Sequence, residues 1–286
     1  MSKPNIKDYL KLIRVNHYIK NMLVLFPLFF SGQFFDLEKL TMGIIAFACF
    51  CFISSSVYII NDLQDLDKDR LHPTKRKRPL ASGCISKRTA ITILIILMFL
   101  GFFFSVVFGG VISTMYLMLY WGLNIAYSMG LKDKVIIDIV ILASGFVIRV
   151  FYGGAFTHIE ISKWLYLVVI TAAFYLGLGK RRNELKRHKG EGTRDVLCYY
   201  NVPFLDKNMY VCVSLANVFY ALWTKDASDG RMIWTVPLII IILMRYSYDI
   251  ESDSDADPVE VLFHDRMLIV LVFIYVACIF LLLYKV

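Results

Sequence analysis

The sequence predicts an all-α, polytopic transmembrane bundle of about nine helices, and three observations lead there. Of its 286 residues, 58% are hydrophobic, with a mean hydropathy of +0.62, whereas a soluble domain is about 45–50% apolar. The apolar residues collect in runs of about 15–20 with few or no charges, the length that crosses a hydrocarbon core. Between those runs, segments rich in Lys and Arg alternate with segments that hold few, as the bias toward positively charged inner loops demands.

Nine spans follow in order. The first, residues 21–35, comes after a basic, amphipathic stretch from Met1 to Lys20. That stretch lacks the apolar core and small-residue cleavage site of a signal peptide, so the first span itself is expected to act as the insertion signal. The second, 41–60, runs into a polar inner loop. Gly109 and Gly110 make a tight link between the third, 90–108, and the fourth, 111–129. The fifth is 135–155, and the sixth, 163–179, ends at a basic run. The seventh, 208–223, is short; 232–248 and 267–284 complete the set.

With the N-terminus inside, 25 of the 31 Lys and Arg lie on inner segments, and Arg149 lies within a span. Only Lys39, Lys163, Lys225, Arg231 and Lys285 are outside. That asymmetry fixes sidedness and supports an odd number of spans. It also accounts for the net charge of +8, so no nucleic-acid partner is expected. The chain is read as one integral-membrane domain, residues 1–286, in the plasma (inner) membrane, with its chemistry on the cytoplasmic face. The two longest inner loops, 61–89 and 180–207, each follow an even-numbered helix, as a diverged duplication would place them. The oligomeric state is open, a homo-oligomer included. Cys49, Cys51, Cys84, Cys198, Cys212 and Cys278 are scattered without zinc-site spacing and are read as small buried hydrophobes. His17, His72, His158, His188 and His264 show no metal-ligand spacing either.

The chemistry concentrates where the second span ends, in Asn61-Asp62-Leu63-Gln64-Asp65-Leu66-Asp67-Lys68-Asp69. On a continuous helix Asp62, Asp65 and Asp69 fall within an arc of about 60°, with Asn61 beside them and Asp67 elsewhere. Three carboxylates on one stripe repel one another, and a helix C-terminus disfavours anions. The cluster therefore calls for a cation, and hard oxygen donors of this kind suit Mg²⁺ bridging protein carboxylates to substrate phosphates. Pro73 should stop the helix near Leu71. The basic run beyond it then lies beside the acids, where Lys75, Arg76 and Arg78 can neutralise phosphate charge left over by the metal.

Other polar groups belong to the spans. Asp138 and Arg149 in the fifth share a face but are about 16 Å apart along the axis, so each must meet another helix. Arg149 is read as a structural tie; Asp138, near the inner end, is a candidate substrate contact. Asn124 and Tyr127 close the fourth helix, with Tyr127 either an interfacial anchor or a hydrogen-bond donor to substrate. The alternating acids from Asp249 through Asp253 and Asp255 to Asp257 lack the mid-loop glycine of a calcium loop and read as solvated.

The Asn61–Gly83 block resembles the first signature, N-D-x-x-D-x-x-x-D, of the UbiA-type prenyltransferase superfamily, and within it the decaprenyl-phosphate phosphoribosyltransferase branch. Further matches are Arg14 with His17-Tyr18-Ile19-Lys20-Asn21, Tyr127-Ser128 with Lys132, and Asp138 with Gly145 to Arg149. Gly179-Lys180-Arg181-Arg182-Asn183-Glu184-Leu185 and the stretch from Arg245 to Arg266 complete the set. The resemblance implies the UbiA-type fold and a Mg²⁺-dependent transferase. It adds Lys20, Asn21 and Lys132 as candidate substrate contacts. Ordinary members carry a second aspartate-rich motif after the sixth helix; here Lys180, Arg181 and Glu184 stand there. Lys180 and Glu184, one turn apart, can also simply pair. Bases in place of acids imply fewer metals and more direct contact with anionic oxygen. Phosphoribosyl pyrophosphate, with its additional 5-phosphate, would use that.

The implied reaction moves 5-phosphoribose from phosphoribosyl pyrophosphate to a polyprenyl phosphate, with Asp62, Asp65 and Asp69 holding Mg²⁺ on the leaving diphosphate. The alternative is prenyl transfer from a prenyl diphosphate to an aromatic or quinone-precursor acceptor. A transporter of phosphorylated metabolites would fit the membrane and the bases but leave the aspartate stripe unexplained.

Overall fold

The computed structural model describes residues 4–187, 195–227, 230–251, 261 and 265–284, and every regular element among them is helical. The chain divides into two compact units, residues 1–128 with 148–160, and residues 129–147 with 161–286.

In the first unit, α1 (Ile6–Leu12) starts at Asn5, whose N–H donates to Asp8 Oδ2 at 2.9 Å. A 3₁₀ stretch, Val15–Leu25, continues as α2 (Phe26–Phe30) with Pro27 in its first turn, where a missing N–H costs nothing. The long α3 (Leu37–Gln64) is capped by Asp36, whose Oδ1 accepts from the N–H groups of Glu38 and Lys39 at 3.1 and 3.2 Å. After α4 (Leu66–Leu71) and a 3₁₀ turn (Lys75–Lys77), α5 (Lys87–Phe104) begins at Ser86, whose Oγ accepts from Thr89 N–H at 3.1 Å. A π turn (Ser105–Gly109) then leads into α6 (Gly110–Ser128). Gly110 adopts φ 76° and ψ −173°, a conformation open to glycine, and the chain reverses there. The rings of Phe102 and Trp121 accordingly lie 6.5 Å apart.

The N-terminal pass runs antiparallel to α3. Tyr18 hydroxyl and Ser55 Oγ are 2.8 Å apart, Asn21 Nδ2 donates to Ser54 Oγ at 3.0 Å, and Leu25 and Leu28 pack over Gly43. The first span, expected at 21–35, is thus displaced to 15–30. Polar Asn16, His17 and Asn21 hide its start in a hydropathy scan, yet Asn21 is buried. Helix α7 (Ile137–Thr157) brings its second half into this unit. Gly153 rests on the Val24 carbonyl so closely that a Cβ there would lie 1.9 Å from the oxygen. Phe50, Ile53, Leu117, Tyr152 and Phe156 are buried beside that contact.

The second unit holds a 3₁₀ turn (Leu131–Asp133), the first half of α7, α8 (Lys163–Arg187) and a 3₁₀ turn (Asp195–Tyr199). Then come α9 (Val202–Ala227), a 3₁₀ turn (Arg231–Thr235), α10 (Val236–Glu251) and α11 (Arg266–Tyr284). Helices α8 and α9 are antiparallel along their whole length. Trp164 Nε1 donates to Asp226 Oδ2 at 2.6 Å near one end, and Arg182 pairs with Asp206 near the other. The core gathers Ile139, Tyr175, Leu178, Leu205, Ile250 and Leu268.

Six stretches among the described residues are long and apolar enough to cross a membrane: 37–64, 87–128, 137–157, 163–186, 231–250 and 266–284. The second of these is the α5–α6 hairpin and crosses twice. With that hairpin counted as two, seven helices are of membrane length; α9 runs beside α8 and the N-terminal pass beside part of α3, which brings the helical segments among the described residues to the nine expected. Helix α8 extends eight residues beyond the expected 179, which puts Lys180, Arg181 and Glu184 on a helix and shortens the inner loop. Cys49 and Cys51 are buried as expected, whereas Cys198 is exposed. The expected solvated acids Asp253, Asp255 and Asp257 lie outside the described residues.

Candidate functional site

Helix α3 outruns its expected end at 60 and carries Asn61 and Asp62 in its last turn. At Asp65 (φ −89°, ψ 8°) the helix breaks, and α4 begins at once. The backbone ladder nearly survives the break: Asp65 N–H donates to Asn61 O at 2.9 Å and Asp69 N–H to Asp65 O at 2.8 Å. The expected continuous stripe is therefore altered. Asp62 and Asp69 are buried together, while Asp65 is half-buried and outside their contact. Asp67 points elsewhere, as expected, its side chain 91% exposed.

What brings the two buried acids together is Arg78. Its Nη1 donates to Asp62 Oδ1 at 3.1 Å and to Asp69 Oδ2 at 2.6 Å. Arg14 completes the cluster, with Nη2 2.5 Å from Asp62 Oδ1 and its guanidinium 4.6 Å from the centre of the Tyr58 ring. Arg14 has left-handed backbone (φ 53°, ψ 51°), uncommon outside glycine. It is held so by Ser55 Oγ, which donates to Ile13 O at 2.8 Å. Asn61 Oδ1 accepts from Ser128 Oγ at the end of α6.

Two carboxylates whose oxygens both touch one positively charged nitrogen are spaced for a shared cation. Two hard oxygen donors, completed by water and phosphate oxygens, fit the way Mg²⁺ is usually held. A cage of three carboxylates does not form: no group of three or more His, Cys, Asp or Glu side chains converges among the described residues. Lys75 and Arg76 are exposed on the 3₁₀ turn, while Lys20, Tyr127 and Lys132 are half-buried.

In the second unit Arg181 is fully buried. Its Nε lies 2.5 Å from Asp138 Oδ2 and its Nη1 2.5 Å from Glu184 Oε2. Asp138, likewise fully buried, accepts from Tyr200 hydroxyl at 2.7 Å, and that hydroxyl accepts from Ile136 N–H at 2.6 Å. Burial, then the hydrogen bond to the Asp138 carboxylate, pushes the Tyr200 phenol up to about 12. Glu184, the partly exposed member, thus pairs with Arg181; Lys180 is half-buried one turn from it.

Arg149 and Asn21 meet inside the first unit. Arg149 Nε donates to Asn21 Oδ1 at 2.9 Å and Nη2 to Tyr120 hydroxyl at 3.2 Å, with Phe50 and Tyr120 rings within 5.0 Å of the guanidinium. Asp138 and Arg149 therefore meet different partners, as their spacing required, and Asn21 is engaged in packing. Sequence reasoning passed over the roles of Arg14 and Tyr200. Arg14 stood among the family matches, but nothing tied it to Asp62, 48 positions away, and nothing marked Tyr200.

The chain matches the profile described as the UbiA prenyltransferase family over residues 22–269. It is 32% identical to decaprenyl-phosphate phosphoribosyltransferase of Corynebacterium glutamicum, covering 96% of this chain and 86% of that one. It is 29% identical to the enzyme of the same name from Mycobacterium tuberculosis, covering 95% and 93%. Among solved structures, a UbiA homolog from Archaeoglobus fulgidus bound to GPP and Mg²⁺ superposes with a TM-score of 0.72 at 20% identity, covering 98% of this chain and all of that one. The profile match and the 32% identity along nearly the whole chain show that this protein belongs to the UbiA prenyltransferase family.

Proposed function

We propose that the protein is a Mg²⁺-dependent membrane enzyme that transfers 5-phosphoribose from phosphoribosyl pyrophosphate to a polyprenyl phosphate of decaprenyl type, releasing pyrophosphate on the cytoplasmic side. The observation that carries the proposal is the pair of buried carboxylates, Asp62 and Asp69, on one arginine nitrogen. They stand beside a basic run in a chain whose relatives of 32% and 29% identity are named decaprenyl-phosphate phosphoribosyltransferases.

Asp62 and Asp69 would hold Mg²⁺, with Asp65 a further candidate ligand about one turn from each. When bound, the metal would supply Lewis-acid and charge-neutralising chemistry to the leaving diphosphate. Arg78 and the exposed Lys75 and Arg76 would bind remaining anionic oxygens. In the transfer, a phosphate oxygen of the lipid forms a bond to C1 of the ribose as the C1–O bond to pyrophosphate breaks. A phosphate monoester, with a second pKa of about 6, is largely deprotonated at neutral pH, so no general base is required. Asn61, Tyr127, Asp138, Lys180, Arg181 and Glu184 are proposed substrate contacts, with Lys20, Asn21 and Lys132 added on the family resemblance. Of these, Asn21, Asp138 and Arg181 are buried in networks of their own, so a positioning role suits them better than direct contact.

Purified protein is incubated with Mg²⁺, phosphoribosyl pyrophosphate and decaprenyl phosphate, and in parallel with Mg²⁺, a prenyl diphosphate and 4-hydroxybenzoate. Pyrophosphate release and a phosphoribosylated lipid in the first mixture are expected. Release in the second mixture alone would replace the proposal with prenyl transfer, and release in neither would favour transport.

A further inference from the structure

We propose that Arg14 is a further diphosphate-binding residue of the Asp62–Asp69 cluster, passing from carboxylate to phosphate when a divalent cation and a diphosphate bind together. The proposal rests on the function above only in requiring a diphosphate, which phosphoribosyl and prenyl donors share.

The geometry of Arg14 is built. Its backbone is left-handed, which costs a non-glycine residue free energy and persists only where the surroundings enforce it. Here Ser55 donates to the preceding carbonyl at 2.8 Å and Arg14 N–H donates to Lys11 O at 3.3 Å. The Tyr58 ring, one helical turn before Asp62, holds the guanidinium at 4.6 Å by cation–π attraction. The side chain stays 21% exposed beside an Asp62 side chain that is only 3% exposed, and together with Arg78, at 30%, it forms the open edge of the cluster.

Charge then dictates what the site accepts. Asp62 and Asp69 stand against Arg14 and Arg78, two negative charges and two positive. A divalent cation entering alone must compete with both guanidinium groups for the same carboxylate oxygens. A diphosphate entering alone meets two carboxylates. When the two enter together, the carboxylates would hold the cation and the freed guanidinium groups would bind phosphate oxygens, for which the planar arginine fork is suited. Tyr58 keeps Arg14 within reach, so the exchange needs only a short swing.

Calorimetry on the purified full-length protein tests this, with Mg²⁺ alone and with pyrophosphate in the presence of Mg²⁺ as probes. Arg14→Gln should weaken magnesium pyrophosphate about ten- to a hundredfold, as loss of a hydrogen bond between charged groups predicts, and should tighten Mg²⁺ alone because a competing cation is gone. A purely structural Arg14 would move both affinities the same way or leave magnesium pyrophosphate unchanged, and either result overturns the proposal. If Arg14→Gln does not fold, Arg14→Lys carries the test. Weakened magnesium pyrophosphate then supports a role for the arginine fork, and unchanged affinity refutes it. Failed turnover by the wild type with phosphoribosyl pyrophosphate would remove the proposed function and leave the pyrophosphate result standing.

Discussion

Cutting the Asp138–Arg181 pair should destabilise the second unit steeply, and by an amount the surroundings allow to be ranked. Both side chains have no exposure and sit 2.5 Å apart. Arg181→Met leaves a buried carboxylate with Tyr200 hydroxyl as its remaining donor in this network, and removing one partner of a buried ion pair costs about 3–5 kcal/mol. Asp138→Asn should cost less, because Arg181 keeps its contact with Glu184, whose side chain is 24% exposed. Tyr200→Phe removes one hydrogen bond to a charged acceptor, about 1.5–3 kcal/mol. The double variant Asp138→Asn/Arg181→Met buries neither charge, so its cost should fall short of the sum of the single costs by about 2 kcal/mol. Denaturant titration in mixed micelles, followed by circular dichroism, measures all four. If each single substitution costs under about 1 kcal/mol and the double is their sum, the ion pair does not hold this unit.

Three further outcomes are expected. Asp62→Asn and Asp69→Asn should each cut transferase turnover by about a hundredfold or more, whereas Asp67→Asn, at a 91% exposed side chain, should stay within about twofold; initial rates at saturating Mg²⁺ decide. Gly153→Ala should abolish or severely lower the yield of folded protein, since its methyl carbon would lie 1.9 Å from Val24 O. Gly122→Ala meets nothing within 4 Å and should be neutral or stabilising by up to about 1 kcal/mol, a contrast that detergent-solubilised yield and melting temperature reveal. Tyr200 titrates near 12 in the folded protein, above the usual value of about 10. Its contribution is therefore whole below about pH 10 and lost as pH rises toward 12. The stability difference between wild type and Tyr200→Phe should be flat from about pH 6 to 9 and shrink above 10.

Hydropathy made most of the fold legible because a membrane crossing is a one-dimensional property of the chain. Two adjacent glycines between apolar runs foretold the α5–α6 hairpin, and Pro73 foretold that the acidic segment would stop at Leu71, where α4 ends. Helix ends were harder. Lys180 to Glu184 read as loop by charge, yet they continue α8 because Arg181 finds Asp138 and Glu184 around it. The break at Asp65 has no glycine or proline to announce it. Part of the site was legible: the acids lie within one short segment, and Arg78 follows them closely. Arg14 and Tyr200 join their partners from 48 and 62 positions away, and no local pattern encodes such contacts.

The 3₁₀ geometry of the N-terminal pass bears on how the chain is inserted. Tyr18 stands opposite Ser55 and Leu28 opposite Gly43, so this strand of chain gains more height per residue than the α-helix it accompanies. At about 2.0 Å per residue against 1.5 Å, a stretch too brief for an ordinary spanning helix still reaches across the oily layer. The gain comes at the cost of poorer hydrogen-bond alignment in a medium without water to compensate. Such a segment is a weak stop for a translocation channel when it emerges alone. It is expected to settle into lipid only as α3 follows it, the two partitioning as a hairpin.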